Sequence, residues 1–366
     1  MRTDLCDRLG IDHPIIGFTP SEHVAAAISR AGGLGVLGCV RYNDPDELDN
    51  ALDWMDTHTE GHPYGVDVVM PSTVPTEGTD VDLEAMIPPQ HREFVRTTLD
   101  RLGIPELPEG QRGDAVLGWL HSIARSHVDV ALKHPITLIA NALGSPPPDI
   151  IGRAHEDNVQ VAALAGKAEH ARRHLDKGVD IIVAQGHEAG GHTGEIATMV
   201  LVPEIVRAIG DRAPVLAAGG IGTGPQVAAA LALGASGAWT GSCWLTTREY
   251  TTSLDSGTMQ RALLAADSSD TVRTRIYTGK PARLLKTRWT EAWETPEAPE
   301  PLPMPLQNIL VSEAHQRIQH AADPEVVAMP VGQIVGQLNE IRTVEEVVEE
   351  LVGGAQAAIE RLGKLG

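Results

Sequence analysis

The sequence predicts an α/β fold: a (β/α)8 TIM barrel with an insertion after strand 3 and a C-terminal helical extension. Three observations carry that expectation. Eight short apolar runs recur along the chain of 366 residues, amphipathic stretches separate most of them, and the later runs end in glycine-rich tips. Repeated strand-then-helix units demand parallel strands, and eight of them favour a closed barrel over an open sheet.

In chain order the strands are expected at 13–17, 34–39, 65–70, 136–140, 159–164, 180–184, 214–218 and 237–241. Helical patterns fall between them at 22–31, 45–57, 148–155, 167–177, 201–209 and 224–233, the last an alanine-rich run entered through Gly224-Pro225. The rhythm breaks once, between the third and fourth strands. There residues 75–130 read as a charged helical insertion over the catalytic face, with helical patterns at 92–102 and 116–133. A lid, a substrate-selecting unit and a dimer-forming excursion are all compatible with it. The barrel is expected to occupy 1–74 and 131–250, leaving 251–366 as an extension packed on it. That extension passes through Trp289, Trp293 and a proline-rich connector at 296–305, then closes on an amphipathic helix at 343–362.

Composition narrows the function classes. No apolar run approaches the ~20 residues a bilayer-spanning helix needs, and the start Met1-Arg2-Thr3-Asp4 lacks a secretory pattern, so a cytoplasmic protein without membrane attachment is expected. The net charge of −20 argues against a nucleic-acid partner, whose phosphates require basic patches. Cys6, Cys39 and Cys243 are odd in number and far apart, which indicates neither a disulfide framework nor a metal site and leaves them reduced and buried. A small-molecule substrate is expected, and a homo-oligomer stays open.

The most informative segment is Gln185-Gly186-His187-Glu188-Ala189-Gly190-Gly191-His192-Thr193-Gly194, which follows an apolar strand. Gly190 and Gly191 let backbone approach a flat ligand, and His192 is the residue type that moves protons near neutrality. His187 occupies the variable position and is expected to face solvent. The run ending Ala217-Ala218-Gly219-Gly220-Ile221 and the tip Trp239-Thr240-Gly241-Ser242 follow, suiting a phosphate site built from the loops after the last two barrel strands. A literal Gly-x-Gly-x-x-Gly also occurs at Gly33, Gly35 and Gly38. It follows a helix and lies inside a strand, the reverse of a dinucleotide-binding turn, and is set aside. His13, at the barrel bottom, reads as structural, and Arg283 reads as a surface ion-pair residue, with an anionic ligand as the alternative partner.

On these segments the chain resembles the nitronate monooxygenase family of FMN enzymes and, more broadly, flavin-dependent enoyl reductases. Matching stretches include Thr278-Gly279-Lys280-Pro281-Ala282-Arg283 and Pro63-Tyr64-Gly65-Val66-Asp67. The resemblance implies FMN at the C-terminal face, with its phosphate on Gly219, Gly220, Trp239, Thr240, Gly241 and Ser242. The ring system would lie near Asp67, Gln185, Gly190 and Gly191, with His192 as the catalytic residue orienting or deprotonating substrate. It further implies oxidation of nitronates or nitroalkanes by O2 to a carbonyl product and nitrite, or else an NAD(P)H-dependent reductase acting on enoyl thioesters or quinones; a binding protein without turnover is the third reading. Two departures stand out. Gly17-Phe18-Thr19-Pro20 replaces an Ala-Pro-Met type segment, and Asp67 replaces a cofactor-contacting Asn, so Asp67 is either an anion that opposes anionic reduced flavin or a protonated acid.

Overall fold

The computed structural model describes residues 1–70, 83–108, 120–251 and 256–365. The chain opens with α1 (Asp4–Leu9), β1 (Ile15–Thr19), α2 (Glu22–Arg30), β2 (Leu34–Gly38), α3 (Pro45–His58) and β3 (Tyr64–Val68). After these come α4 (Pro89–Leu102), α5 (His121–Ala131), β4 (Leu138–Asn141), α6 (Pro148–Glu156), β5 (Gln160–Ala165), α7 (Ala168–Asp176) and β6 (Ile181–Gln185). The short β7 (Gly191–His192), α8 (Thr198–Ile209), β8 (Val215–Ala218), α9 (Gly224–Ala232) and β9 (Gly237–Thr240) follow. The last third holds α10 (Ser256–Ala265), β10 (Thr271–Thr274), β11 (Ala282–Leu285), α11 (Arg288–Ala292), α12 (Leu306–Ala321) and α13 (Val344–Gly363).

Strands β1 to β6, β8 and β9 close into a parallel barrel, sealed where β9 pairs with β1 in the register Ile15↔Ala238. Side chains alternate across the wall. Ile16, Val36, Leu138, Ile181, Leu216 and Trp239 fill the lumen, while Ile15, Leu37, Val66, Ile139, Val161 and Ile182 pack beneath the helices. Burial on both faces is why the strands read as continuous apolar runs. Leu5, Cys6 and Leu9 of α1 join the lumen cluster and plug its N-terminal end. The first strand starts two residues later than its expected start at 13, because Pro14 has no N–H to give a ladder. The glycines of the discarded dinucleotide pattern have a packing reason: a Cβ on Gly35 would lie 1.9 Å from the Ala25 carbonyl oxygen of α2.

Two parts of the domain expectation are redrawn. The insertion at 75–130 is divided, since α5 packs on α3 and β3 as the third helix of the ring, whereas α4 turns its Val95 and Leu99 elsewhere. Residues 75–82 and 109–119 of that insertion lie outside the described residues. The barrel also does not stop at residue 250. Helix α13 packs on α9 and α2 in the eighth helix position, and the returning chain is tied to the departing one by Arg248 N–H to the Arg342 carbonyl at 2.8 Å. The Glu249 carboxylate accepts the Val344 N–H at 3.0 Å, capping α13. The segment between is thus an excursion from the C-terminal end of β9.

This excursion and α4 build one small body. Val95 and Leu99 of α4 share a core with Trp289, Trp293, Val311 and Ile318. The buried Arg317 guanidinium donates to the carbonyls of Ile104 and Pro105, both at 2.8 Å. Strands β10 and β11 extend it toward the barrel, where β11 pairs antiparallel with β7. No helix among the described residues is long and apolar enough to cross a membrane. The three cysteines are unpaired and buried.

Candidate active site at the C-terminal rim of the barrel

The loop after β6 is shaped by close backbone packing. A Cβ on Gly186 would fall 2.0 Å from Thr198 Oγ1, and one on Gly190 would fall 2.7 Å from the Val331 carbonyl carbon. The absent side chain of Gly190 therefore makes room for the incoming 331–332 backbone, a packing constraint that stands beside the expected approach to a flat ligand. Gln333 N–H donates to the Glu188 carbonyl at 2.9 Å and Gly332 N–H to Ser242 Oγ at 2.9 Å, so this late segment ties two strand tips together. Glu188 accepts the Thr198 N–H at 3.0 Å and lies 2.9 Å from the Thr198 hydroxyl at the start of α8, where a helix dipole favours an anion. Burial opposes its ionisation, but the N–H groups of Glu188 and Thr198, the Thr198 hydroxyl and His187 outweigh it and hold the carboxyl below its usual range. The half-exposed His187 has its Nδ1 3.2 Å from Glu188 Oε2.

His192 is carried by β7, entered through Gly191 at φ +70°, and stands opposite Ala282 of β11. Its Nε2 lies 2.7 Å from Thr278 Oγ1, and Nδ1 has no hydrogen-bond partner among the described residues. Burial, aided by the positive charge of Lys280, pushes the imidazole down to about 4, so the ring is neutral at physiological pH. Arg283 corrects an expectation. It is buried, donating to the His187 carbonyl through Nε at 3.1 Å and Nη2 at 2.9 Å and to Thr271 Oγ1 at 3.0 Å. Pairing of β11 on both edges encloses it, and the one-dimensional sequence holds no sign of that.

The two neighbouring tips after β8 and β9 are brought together by the pairing Ala218↔Trp239. Gly219 at φ +101° and Gly220 at φ +69° adopt a backbone that favours glycine. Gly222 and Thr223 N–H are satisfied by Gln226 Oε1, both at 3.0 Å, so the start of α9 caps itself. The N–H groups of Gly220, Ile221, Gly241 and Ser242 have no acceptor among the described residues, so these tips, rather than the helix start, are free to receive an anion. The Trp239 and Thr240 side chains are committed elsewhere. Trp239 stacks on Phe18 in the lumen with ring centres 6.5 Å apart, and Thr240 Oγ1 donates to the Ile16 carbonyl at 3.0 Å.

Asp67 sits near the end of β3, on the lumen side between Gly38 and Ala140 of the neighbouring strands. It is 4% exposed and has no hydrogen-bond partner among the described residues. Burial alone raises its carboxyl well above the ordinary range, which favours the neutral acid, whose donor is unused among the described residues. Gln185, half-buried, ends β6 on the same rim. An orphaned acid in the upper lumen and unpartnered amides at adjacent tips fit a ligand that has both a polar ring edge and a phosphate.

The fold and site define a barrel enzyme with unpartnered amides at its last strand tips and a neutral histidine on the small sheet at its rim. The chain belongs to the nitronate monooxygenase family, whose model matches residues 3–354, and is an oxidoreductase of that family. It is 49% identical to a Mycobacterium tuberculosis protein named as a monooxygenase, covering 100% of this chain and 98% of the relative. A Staphylococcus aureus protein named as a nitronate monooxygenase is 29% identical over 90% of each chain. Among solved structures, the nitroalkane oxidase of Streptomyces ansochromogenes superposes with a TM-score of 0.80 at 27% identity, covering 98% of this chain and 99% of that one. FabK of Thermotoga maritima gives 0.75 at 25% identity and covers 100% of both chains.

Proposed function

We propose that this protein is an FMN-dependent nitronate monooxygenase, converting nitronates with O2 to a carbonyl product and nitrite. The observation that carries the reading is the pairing of a neutral His192, fixed by Thr278, with the unoccupied hydrogen-bonding capacity of Asp67 and the Gly220, Ile221, Gly241 and Ser242 amides. The amides would hold the FMN phosphate, with Asp67 and Gln185 along the ring system. When bound, FMN supplies the electron-accepting chemistry of the oxidation. Thr278 Oγ1 accepts the Lys280 N–H at 3.4 Å, and with its own proton donated to His192 Nε2 the imidazole proton sits on Nδ1. Nδ1–H then donates to a nitronate oxygen and orients the substrate. A base whose conjugate acid lies at about 4 is badly matched to a carbon acid that ionises above neutrality, so the preformed nitronate is the better substrate and the neutral nitroalkane the poorer.

Oxygen uptake by the FMN-loaded protein tests this, with an alkyl nitronate, NADH and NADPH offered separately. Uptake with nitronate alone, accompanied by nitrite, is expected. The likeness to FabK supports a second reading, an NAD(P)H-dependent flavin oxidoreductase, which rapid anaerobic bleaching by a nicotinamide would establish in its place. The cradle has its own test. Gly220→Val must force a β-branched residue into φ +69° at the phosphate tip, so FMN should be lost on gel filtration while the fold stays cooperative. Retention of FMN at wild-type stoichiometry would remove this tip from the site.

A further inference from the structure

The small sheet beside His192 carries an unbalanced positive charge. Arg273 of β10 and Arg283 of β11 stand directly opposite each other, an arrangement of like charges that costs stability in an antiparallel pair. Arg275 and Lys280 lie on the connection between the same strands. None of the four has a carboxylate within 4.0 Å among the described residues, in a chain whose net charge is −20. Three are spent on the protein's own oxygens. Arg273 donates to Thr193 Oγ1 and its carbonyl, both at 3.2 Å, Arg275 to the Gly279 carbonyl at 3.0 Å, and Arg283 to His187 and Thr271. Glu188, the acid that most offsets Arg283, is occupied with the first turn of α8. The half-buried ammonium of Lys280 has no partner among the described residues, and Lys280 lies between Thr278, whose hydroxyl is 2.7 Å from His192 Nε2, and Ala282, which pairs with His192.

We infer that Lys280 is the contact residue for the negative charge of the substrate, held in the field of Arg273 and Arg283, and that it makes the site select anions over neutral molecules of the same shape. The inference rests on His192 facing the substrate, as proposed above. A free cation is costly to leave desolvated, and a bound anion removes that cost. Because the contact exists before and during reaction, its loss raises KM and leaves kcat nearly unchanged.

The test compares wild type with Lys280→Met and Lys280→Arg, using inorganic nitrate as an unreactive planar anion. Binding is read from the absorption of bound flavin, or from the His192 ring resonances by NMR if flavin is absent. Nitrate affinity should fall about tenfold or more in the methionine variant, as expected for losing a charge-assisted hydrogen bond. It should return to within about threefold in the arginine variant, which keeps the charge. KM for ethyl nitronate should follow the same order. Equal nitrate affinity in wild type and Lys280→Met overturns the assignment. A protein that binds nitrate through Lys280 but does not oxidise nitronates would refute the proposed reaction and leave the anion contact standing.

Discussion

His192→Ala is expected to lower kcat/KM for a nitronate by about 10²–10⁴-fold, the range for losing a positioned proton donor or acceptor, while FMN content and thermal midpoint stay close to wild type. The size follows from the geometry. A single ring nitrogen, anchored through Nε2 to Thr278 at 2.7 Å, leaves Nδ1 as the one imidazole position free for substrate. No neighbouring histidine can substitute, since His187 lies against Glu188 at 3.2 Å. Retention of FMN follows because the cradle amides belong to other loops. The pH profile gives a second readout. With its conjugate acid at about 4, His192 keeps one protonation state through neutrality, so kcat/KM should lack an inflection near the ordinary imidazole value of 6.5 and fall only as pH drops toward 4. Thr278→Ala frees the ring and should give a smaller loss, together with reappearance of an inflection nearer neutrality as water reaches Nε2. Unchanged catalysis in His192→Ala would take the histidine out of the mechanism.

The barrel was legible because its signals are local. Each strand is a run buried on both faces, and the tips at Gly219-Gly220 and Gly241-Ser242 declare themselves through glycines that the backbone at 219 and 220 requires. His192 stands out in the sequence as a candidate for a similar reason, lying in a loop rich in glycine next to an apolar strand. What failed to show is long-range. The eighth barrel helix, α13, arrives about a hundred residues after β9, and nothing in residues 343–362 says which helices it will lie between. Thr278 and Arg283 were visible only as members of a loop. Their roles come from β11 pairing with β7 across nearly a hundred positions, a two-residue strand that no period-two pattern can announce. At Gly190 the sequence shows a missing side chain without showing what fills its place, here the backbone of Val331 and Gly332.

Asp67 offers the other large effect, and its sign can be worked out. The folded protein holds its carboxyl well above the ordinary 3.8, through burial without a compensating partner. A raised folded value means the stability tied to this proton is fully present below the unfolded value and is lost as pH rises through the folded one. Across that window the loss approaches about 1.4 kcal/mol for each pH unit. Asp67→Asn removes the titrating proton and keeps the shape and a donor. Its stability advantage over wild type should therefore grow as pH rises above the ordinary carboxylate range, read as diverging urea midpoints at a common slope. Ligand binding should move with it. A neutral acid can donate to the ring edge of FMN, whereas a carboxylate repels reduced anionic flavin, so wild-type affinity for FMN should weaken on the alkaline side and the asparagine variant should show no such step. A stability difference that stays constant with pH would mean that Asp67 is ionised in the folded chain. In that case the acid would act as the anion its sequence position first allowed, and the reduced flavin would have to be stabilised from elsewhere on the rim, with Lys280, whose positive charge acts on His192, as the candidate.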